Sequence, residues 1–113
     1  FLNMPHSPVR KMIQARLPVA LASDYNPGSS PSGNMKFIMS LGCINYKMLS
    51  EEVINATTLN SAYAMGVEEE AGSIAVGKLA NFYITTPISG IEYLPYAYTA
   101  DLIEAIFLKG EQY

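Results

Sequence analysis

Apolar residues recur at helical spacing in three segments of the first 66 residues. The first segment follows Ser7 and Pro8, because serine is a favoured N-cap and proline a favoured first helical residue, and it ends before Pro18. The second covers residues 35–46. The third starts at Ser50, where two acidic residues follow at the positive end of the helix dipole, and it ends at Gly66. The positions predicted to face inward are Val9, Met12, Ile13, Phe37, Ile38, Leu41, Cys43, Val53, Ile54, Thr57 and Tyr63.

Between the first two helical segments, a short apolar run ends abruptly in a carboxylate. Residues 19–22 are apolar, Asp24 closes the run, and a loop rich in glycine, proline and serine follows up to Gly33. A short apolar run bounded by turn residues is typical of a strand buried on both faces, as in parallel sheets. The loop after such a strand lies at the carboxyl edge of the sheet, where α/β proteins place ligands. The pattern therefore predicts a strand over residues 19–24 with a functional corner at its end.

After Gly66 the pattern changes to that of a small β domain. We predict a short strand and turn at residues 72–78, a strand at residues 80–85, an irregular segment at residues 87–99 and a strand at residues 102–108. Periodicity alone allows the last segment to be helix or strand, and its β-branched and aromatic residues favour the strand. The chain thus divides into an α/β part, residues 1–66, and a β part, residues 67–113.

Composition and charge exclude several classes of function. Half of the 113 residues are hydrophobic and 15% are charged, which is typical of a globular domain. The net charge is −3 and the basic residues are scattered, so we expect no nucleic-acid partner. No apolar stretch approaches the ~20 residues of a membrane span, and we expect no secretory leader. The single cysteine cannot form an internal disulfide, which predicts a protein of the reducing cytoplasm.

We interpret both ends of the chain as cuts through a larger protein. The chain opens on Phe1 without an initiator methionine. The last predicted strand runs into the turn at Lys109 and Gly110, with almost no residues after it to pair with.

Asp24 is the first candidate for chemistry. A carboxylate at the end of a strand often caps the loop or helix that follows, and this structural role stays open. The functional alternative is a metal ligand or a general base, because aspartate is ionised and short enough for its rotamer to be held firmly.

The loop from Asn26 to Ser30 also has two interpretations. In the first interpretation the loop is a simple turn, since Asn-Pro initiates turns and Gly28 supplies a positive φ. On the second it holds an anionic group of a substrate, such as a carboxylate. Gly28 would then let the ligand approach the backbone, while Asn26, Ser29 and Ser30 offer polar groups.

The two other reactive side chains, those of His6 and Cys43, are expected to have structural roles. His6 is the only histidine, and beside a helix start we expect it to be a surface or capping residue rather than a ligand. Catalytic zinc sites use three protein ligands, so this chain cannot complete one by itself. Cys43 lies in a helical pattern without a nearby histidine and is expected to pack in the core.

Four segments of the chain closely resemble the imidazolonepropionase family of amidohydrolases, namely residues 7–15, 19–29, 51–64 and 72–80. The run Asp24-Tyr-Asn-Pro-Gly-Ser29 is quite specific to this branch. The motif Gly-Ser-Ile-x-x-Gly-Lys-x-Ala at residues 72–80 is general to amidohydrolases with a β-sandwich domain. The resemblance covers essentially the whole chain.

The resemblance implies a fold and an activity. Residues 1–66 would be the last units of a (β/α)8 barrel, and residues 67–113 the C-terminal part of a β-sandwich domain. The enzyme would hydrolyse 4-imidazolone-5-propanoate to N-formimidoyl-L-glutamate in histidine degradation, using a metal-activated water. Asp24 would be a catalytic residue and a ligand of zinc or iron, and Asn26, Gly28 and Ser29 would bind the substrate.

The resemblance also implies that the full-length enzyme is a cytoplasmic homodimer with a small-molecule substrate and no nucleic-acid or membrane partner. The isolated chain would be inactive, because the family takes most metal ligands from histidines outside this segment. Two positions depart from the family pattern: Asn81 replaces a common aspartate, and Ala97 stands where a histidine is common. The alternatives are another cyclic-amide amidohydrolase or deaminase, or a non-catalytic carboxylate-binding or structural module.

Overall fold

The computed structural model describes residues 4–113, and helices dominate its first part. The helices are α1 (Val9–Gln14), α2 (Met35–Tyr46), α3 (Ser50–Thr57) and α4 (Leu59–Met65). The bounds of α2 are those predicted, and the Asn34 side chain caps this helix by accepting a hydrogen bond from the Phe37 N–H at 3.2 Å. The start of α1 is also close to the prediction, but Ser7 contributes its backbone carbonyl rather than its hydroxyl, accepting from the Val9 N–H.

The prediction of one helix from Ser50 to Gly66 was wrong, because the segment forms two helices. Thr58 breaks it, with φ −123° and ψ −87°. The Thr57 hydroxyl donates to the Val53 carbonyl at 2.9 Å and the Thr58 hydroxyl donates to the Ile54 carbonyl at 2.6 Å. Such hydroxyls compete with backbone N–H groups for the last carbonyls of a turn, which favours a bend. The predicted end at Gly66 is confirmed, since this residue has a left-handed φ of 69°.

The predicted strand over residues 19–24 is absent. No strand among residues 4–113 pairs with this segment, and residues 19–24 are called the extended segment below. Helices supply its hydrogen bonds instead: the Leu21 N–H donates to the Ala56 carbonyl at 3.0 Å, and Asn60 Nδ2 donates to the Val19 carbonyl at 2.8 Å. A strand exists only where a neighbouring strand provides backbone partners, and the apolar pattern could not show whether one is present.

The last part of the chain forms a small antiparallel sheet. Its strands are β1 (Phe82–Thr85), β2 (Ile103–Leu108) and β3 (Glu111–Gln112), in the order β1-β2-β3. Phe82 pairs with Phe107 across β1 and β2, and their rings stack with centroids 4.8 Å apart. Two predictions were partly wrong here. The predicted turn within residues 72–78 is present at Val76 and Gly77, but no strand precedes it. The segment predicted to be irregular contains one helical turn, α5 (Tyr93–Tyr96).

The core lies between the helices and the extended segment. Val53 and Ala56 of α3 are completely buried, and the rest of the buried cluster consists of Val9, Val19, Met39 and Met48. Cys43 packs against this cluster as expected, and burial raises the pKa of its thiol. The predicted inner faces were partly wrong: Phe37 is 37% exposed and Tyr63 is 64% exposed. Helix α2 packs against both α3 and α5, and these contacts together cover its buried residues.

Within residues 4–113, none of the helices combines the length and the apolar character needed to cross a membrane.

Gly72 packs against the start and middle of α4 at a point where a side chain would not fit. Its φ is +84°, and a Cβ there would lie 2.5 Å from the Cβ of Ala62. We expect Gly72→Ala in the full-length protein to destabilise the fold by about 1–2 kcal/mol of backbone strain and about 1–3 kcal/mol of overpacking. Gly77→Ala is the matched control, because Gly77 also has a positive φ of 90° but no atom within 4 Å of the added Cβ. Equal losses in urea unfolding of the two variants would show that the contact with Ala62 has no effect.

An ion pair ties α1 to α3. Arg10 donates to both carboxylate oxygens of Glu52, at 2.9 and 2.6 Å, and the Leu49 N–H donates to the same carboxylate at 2.7 Å. The hydrogen bond from Arg10 holds the pKa of Glu52 below its usual value, with a smaller contribution from Leu49 and against the opposing effect of burial.

A lowered carboxylate pKa stabilises the folded state above the pKa of the unfolded chain, and the stabilisation is lost as the pH falls through the folded pKa. We therefore expect Glu52→Gln to lower the thermal midpoint at pH 7, and the difference from the wild type to shrink steadily below about pH 4. Glu51→Gln, at an exposed position of the same turn, is the comparison and should lower the midpoint at pH 7 by less, because Arg10 pairs with Glu52. A difference between Glu52→Gln and the wild type that is constant down to about pH 3 contradicts the expectation.

Candidate functional site

The loop that follows the extended segment is closed by backbone hydrogen bonds. The Asn26 N–H donates to the Ser30 carbonyl at 2.9 Å, and the Ser30 N–H donates back to the Asn26 carbonyl at 3.3 Å. Proline and glycine at the tip allow this tight reversal. Three of the candidate residues named from the sequence, Asn26, Gly28 and Ser29, therefore lie on one small closed loop, and Asp24 comes two residues before it.

The side chain of Asn26 organises the interior of this loop. Its Oδ1 accepts hydrogen bonds from the Gly28 N–H at 3.0 Å, the Ser29 N–H at 2.8 Å and the Ser29 hydroxyl at 3.2 Å. Its Nδ2 donates to the carbonyl of Asp24 at 2.7 Å. The backbone N–H groups of Gly28 and Ser29 are therefore occupied within the loop. Asn26 keeps one amide hydrogen, and Ser29 keeps the acceptor capacity of its hydroxyl.

Gly28 does not have the positive φ that the turn interpretation requires. A Cβ on Gly28 would lie 3.4 Å from Asn26 Oδ1, which is an ordinary contact distance. Neither backbone strain nor crowding within the described residues therefore explains glycine at this position. A close approach by a ligand remains the role that we predict for it.

Asp24 stands at the entrance of the loop with an exposed side chain. Within residues 4–113, no donor forms a hydrogen bond with its carboxylate, so the capping role that the sequence left open is not observed. The positive φ in this region belongs to Asp24, at 49°, rather than to Gly28. A left-handed conformation costs an L-residue about 1–2 kcal/mol, although aspartate adopts it more readily than most. A carboxylate that has no hydrogen bond from the described residues, in a specific backbone conformation, is suited to bind a cation or to accept a proton.

Ser30 has a role that the sequence did not reveal. Among the polar groups of the loop it was expected to bind a ligand, but its hydroxyl donates to the carbonyl of Ser23 at 2.7 Å. This bond crosses the base of the loop to the residue that precedes Asp24. No local signal distinguishes Ser30 from Ser29, because the bond depends on how the loop closes.

The two other side chains considered from the sequence lie elsewhere. His6 is exposed, and its ring meets the Tyr46 ring edge to face with centroids 5.5 Å apart. Cys43 belongs to the core. Across residues 4–113, no group of three histidine, cysteine, aspartate or glutamate side chains is close enough to hold a metal ion.

Two open clefts lie away from the loop. One of about 410 Å³ is lined by residues that include Pro18, Tyr63 and Lys78. The other, of about 540 Å³, lies between α4 and β1 and is lined by residues that include Ala62 and Tyr83. Neither cleft contains a residue of the loop.

Comparison with known proteins defines the class of this chain. The profile of the Amidohydrolase family matches residues 3–95, and the chain belongs to this family. The crystal structure of an amidohydrolase from Thermotoga maritima superposes on this chain with a TM-score of 0.70 at 20% sequence identity. The superposition covers 92% of this chain and 24% of the Thermotoga chain. This match supports an amidohydrolase fold.

Comparison with individual curated proteins gives a more specific result than the family profile. An imidazolonepropionase from Flavobacterium johnsoniae is 54% identical over 111 residues, which is 98% of this chain and 27% of the relative. An imidazolonepropionase from Streptococcus pyogenes serotype M3 is 42% identical over 106 residues, covering 94% of this chain and 25% of the relative. The chain thus spans about a quarter of the length of these relatives. The resemblance to imidazolonepropionases that the sequence motifs indicated is confirmed.

Proposed function

We propose that the chain is part of an enzyme that hydrolyses 4-imidazolone-5-propanoate to N-formimidoyl-L-glutamate in histidine degradation. The observation that carries the proposal is the identity of 54% to an imidazolonepropionase, extending over 98% of the chain and including the loop that presents Asp24. The free carboxylate of Asp24 supports it, because hydrolysis needs a group that can accept a proton.

In the proposed reaction, the oxygen of a water molecule forms a bond to the ring carbonyl carbon, and the bond from that carbon to the ring nitrogen breaks. The carboxylate of Asp24 takes a proton from the water and passes it to the departing nitrogen. The carbonyl carbon becomes the new carboxylate of the product, so the atoms of one water molecule are added across the C–N bond.

The loop would bind the substrate beside this carboxylate. The free amide hydrogen of Asn26 can donate to the propionate group of the substrate. The Ser29 hydroxyl can reorient from Asn26 towards the ligand, since their contact of 3.2 Å is the longest of the three at Oδ1. Gly28 would leave room for the substrate against the backbone.

A divalent metal, zinc or iron, fits Asp24, because its exposed carboxylate is free of hydrogen bonds from the described residues. Such an ion lowers the pKa of bound water and polarises a carbonyl. Asp24 would supply one ligand, and the remaining ligands would come from the longer protein.

We also propose the domain division that the resemblance implies. Residues 1–66 would complete a (β/α)8 barrel, in which the extended segment ending at Asp24 becomes a strand once neighbouring strands are present. Residues 67–113 would join a β-sandwich through the sheet of β1, β2 and β3. Several backbone groups of the extended segment and of the sheet edge find no partner among residues 4–113, which supports this division.

The test is ring opening by the purified full-length protein, loaded in separate samples with zinc or iron. We expect the absorbance of imidazolone propionate to disappear and a product heavier by one water to form. A hydantoin and an amino-substituted heterocycle serve as comparison substrates. Faster turnover of either comparison substrate would assign a different amidohydrolase or a deaminase, and no turnover of any substrate would leave the proposal without support.

A further inference from the structure

Two side chains of the loop hold the carbonyl groups on either side of Asp24. The Ser30 hydroxyl donates to the carbonyl of Ser23 at 2.7 Å, and Asn26 Nδ2 donates to the carbonyl of Asp24 itself at 2.7 Å. The first carbonyl belongs to the peptide group before the Asp24 Cα, and the second to the peptide group after it. Because φ and ψ of Asp24 rotate these two groups relative to each other, the two bonds together restrain both angles.

The restraint acts on an uncommon backbone conformation. Asp24 has a φ of 49°, in the left-handed region that few residues other than glycine adopt. Such a conformation persists where surrounding contacts over-determine it. The direction in which the carboxylate leaves the chain depends on these backbone angles, so a change to an extended conformation would move it away from its present position.

We propose that Ser30 is a positioning residue, whose hydroxyl holds the peptide group before Asp24 and thereby keeps the catalytic carboxylate in place. This inference rests on the proposed function, in which Asp24 moves the proton. Ser30 is well placed for the role, because the paired backbone bonds with Asn26 fix it at the base of the loop, opposite Ser23. Its hydroxyl acts through the backbone of Asp24 and does not touch the substrate.

The test compares three variants of the full-length protein. Ser30→Ala removes the hydroxyl, and we expect kcat to fall about tenfold or more with KM changed less than about twofold, as for a loss of alignment rather than of binding. Ser30→Thr retains a hydroxyl and should restore most of the lost kcat. Ser32→Ala is the matched control, since the Ser32 hydroxyl accepts from the Asn34 N–H at 3.2 Å and does not contact the peptide groups of Asp24.

The outcomes separate this inference from the proposed function. If the wild type opens the ring, two results overturn the inference and leave the proposed function intact. One is an unchanged kcat in Ser30→Ala. The other is an equal loss of kcat in Ser30→Ala and Ser32→Ala. If the wild type does not open the ring, crystal structures of the two variants decide. Ser30→Ala should then take Asp24 out of the left-handed region while Ser32→Ala keeps it there, and an unchanged φ in both overturns the inference. If Ser30→Ala does not fold, the same measurements are made on Ser30→Cys, because a thiol is a weak donor of nearly the same size.

Discussion

Asp24→Asn in the full-length protein is expected to lower kcat by about a hundredfold or more without unfolding the chain. The amide is nearly isosteric with the carboxylate, but it cannot accept the proton or carry charge to a metal. Stability should be retained, because the side chain is exposed and asparagine tolerates a left-handed φ as well as aspartate does. Steady-state kinetics, a melting curve and the metal content of the purified variant are the measurements.

Asp101→Asn is the matched control for this substitution. Asp101 is the only other aspartate in the chain and is also exposed, so the same change of charge is made away from the loop. We expect the control to retain the wild-type kcat. An Asp24→Asn variant that keeps a third of the wild-type kcat would remove Asp24 from the catalytic machinery. Unchanged metal content with lost turnover would assign Asp24 mainly to proton transfer.

Gly28→Ala is expected to raise KM about tenfold or more while the thermal midpoint stays within about a degree of the wild type. The sequence alone left a stability loss possible, because a glycine with positive φ resists substitution. The observed backbone removes that reason, since φ of Gly28 is not positive and the added Cβ would meet Asn26 Oδ1 at 3.4 Å. A large rise in KM with an unchanged midpoint would then indicate a ligand that uses the space.

Gly33→Ala provides the comparison for this variant. Gly33 lies in the same loop region, its φ is not positive, and a Cβ there would have no atom within 4 Å. We expect its KM and midpoint to equal those of the wild type. If Gly28→Ala also shows a wild-type KM, the loop tip does not contact the substrate. If it instead lowers the midpoint by several degrees at constant KM, Gly28 has a structural role.

Features governed by neighbouring residues were predictable from the sequence. The start and end of α2, the left-handed end of α4 at Gly66 and the strand β2 all depend on groups within a few residues or on the pattern of one segment. The closed turn after Asp24 is of the same kind, because Asn26 bonds with groups only two or three residues away. The motif in this turn also indicated the family to which the chain belongs.

The tertiary structure decided the features that depend on residues distant in sequence. The apolar run before Asp24 suits a strand, yet its hydrogen bonds come from Ala56 and Asn60, more than thirty residues further along the chain. The inner face of α2 was decided by packing against both α3 and α5, which the spacing of apolar residues in α2 could not specify. At the loop, the sequence nominated Gly28 for the positive φ and Ser30 for a ligand. In the folded loop, Asp24 has the left-handed conformation, and the Ser30 hydroxyl donates to the carbonyl of Ser23. Sequence could not show this bond, because each carbonyl bonds to whichever donor the folded chain brings within reach.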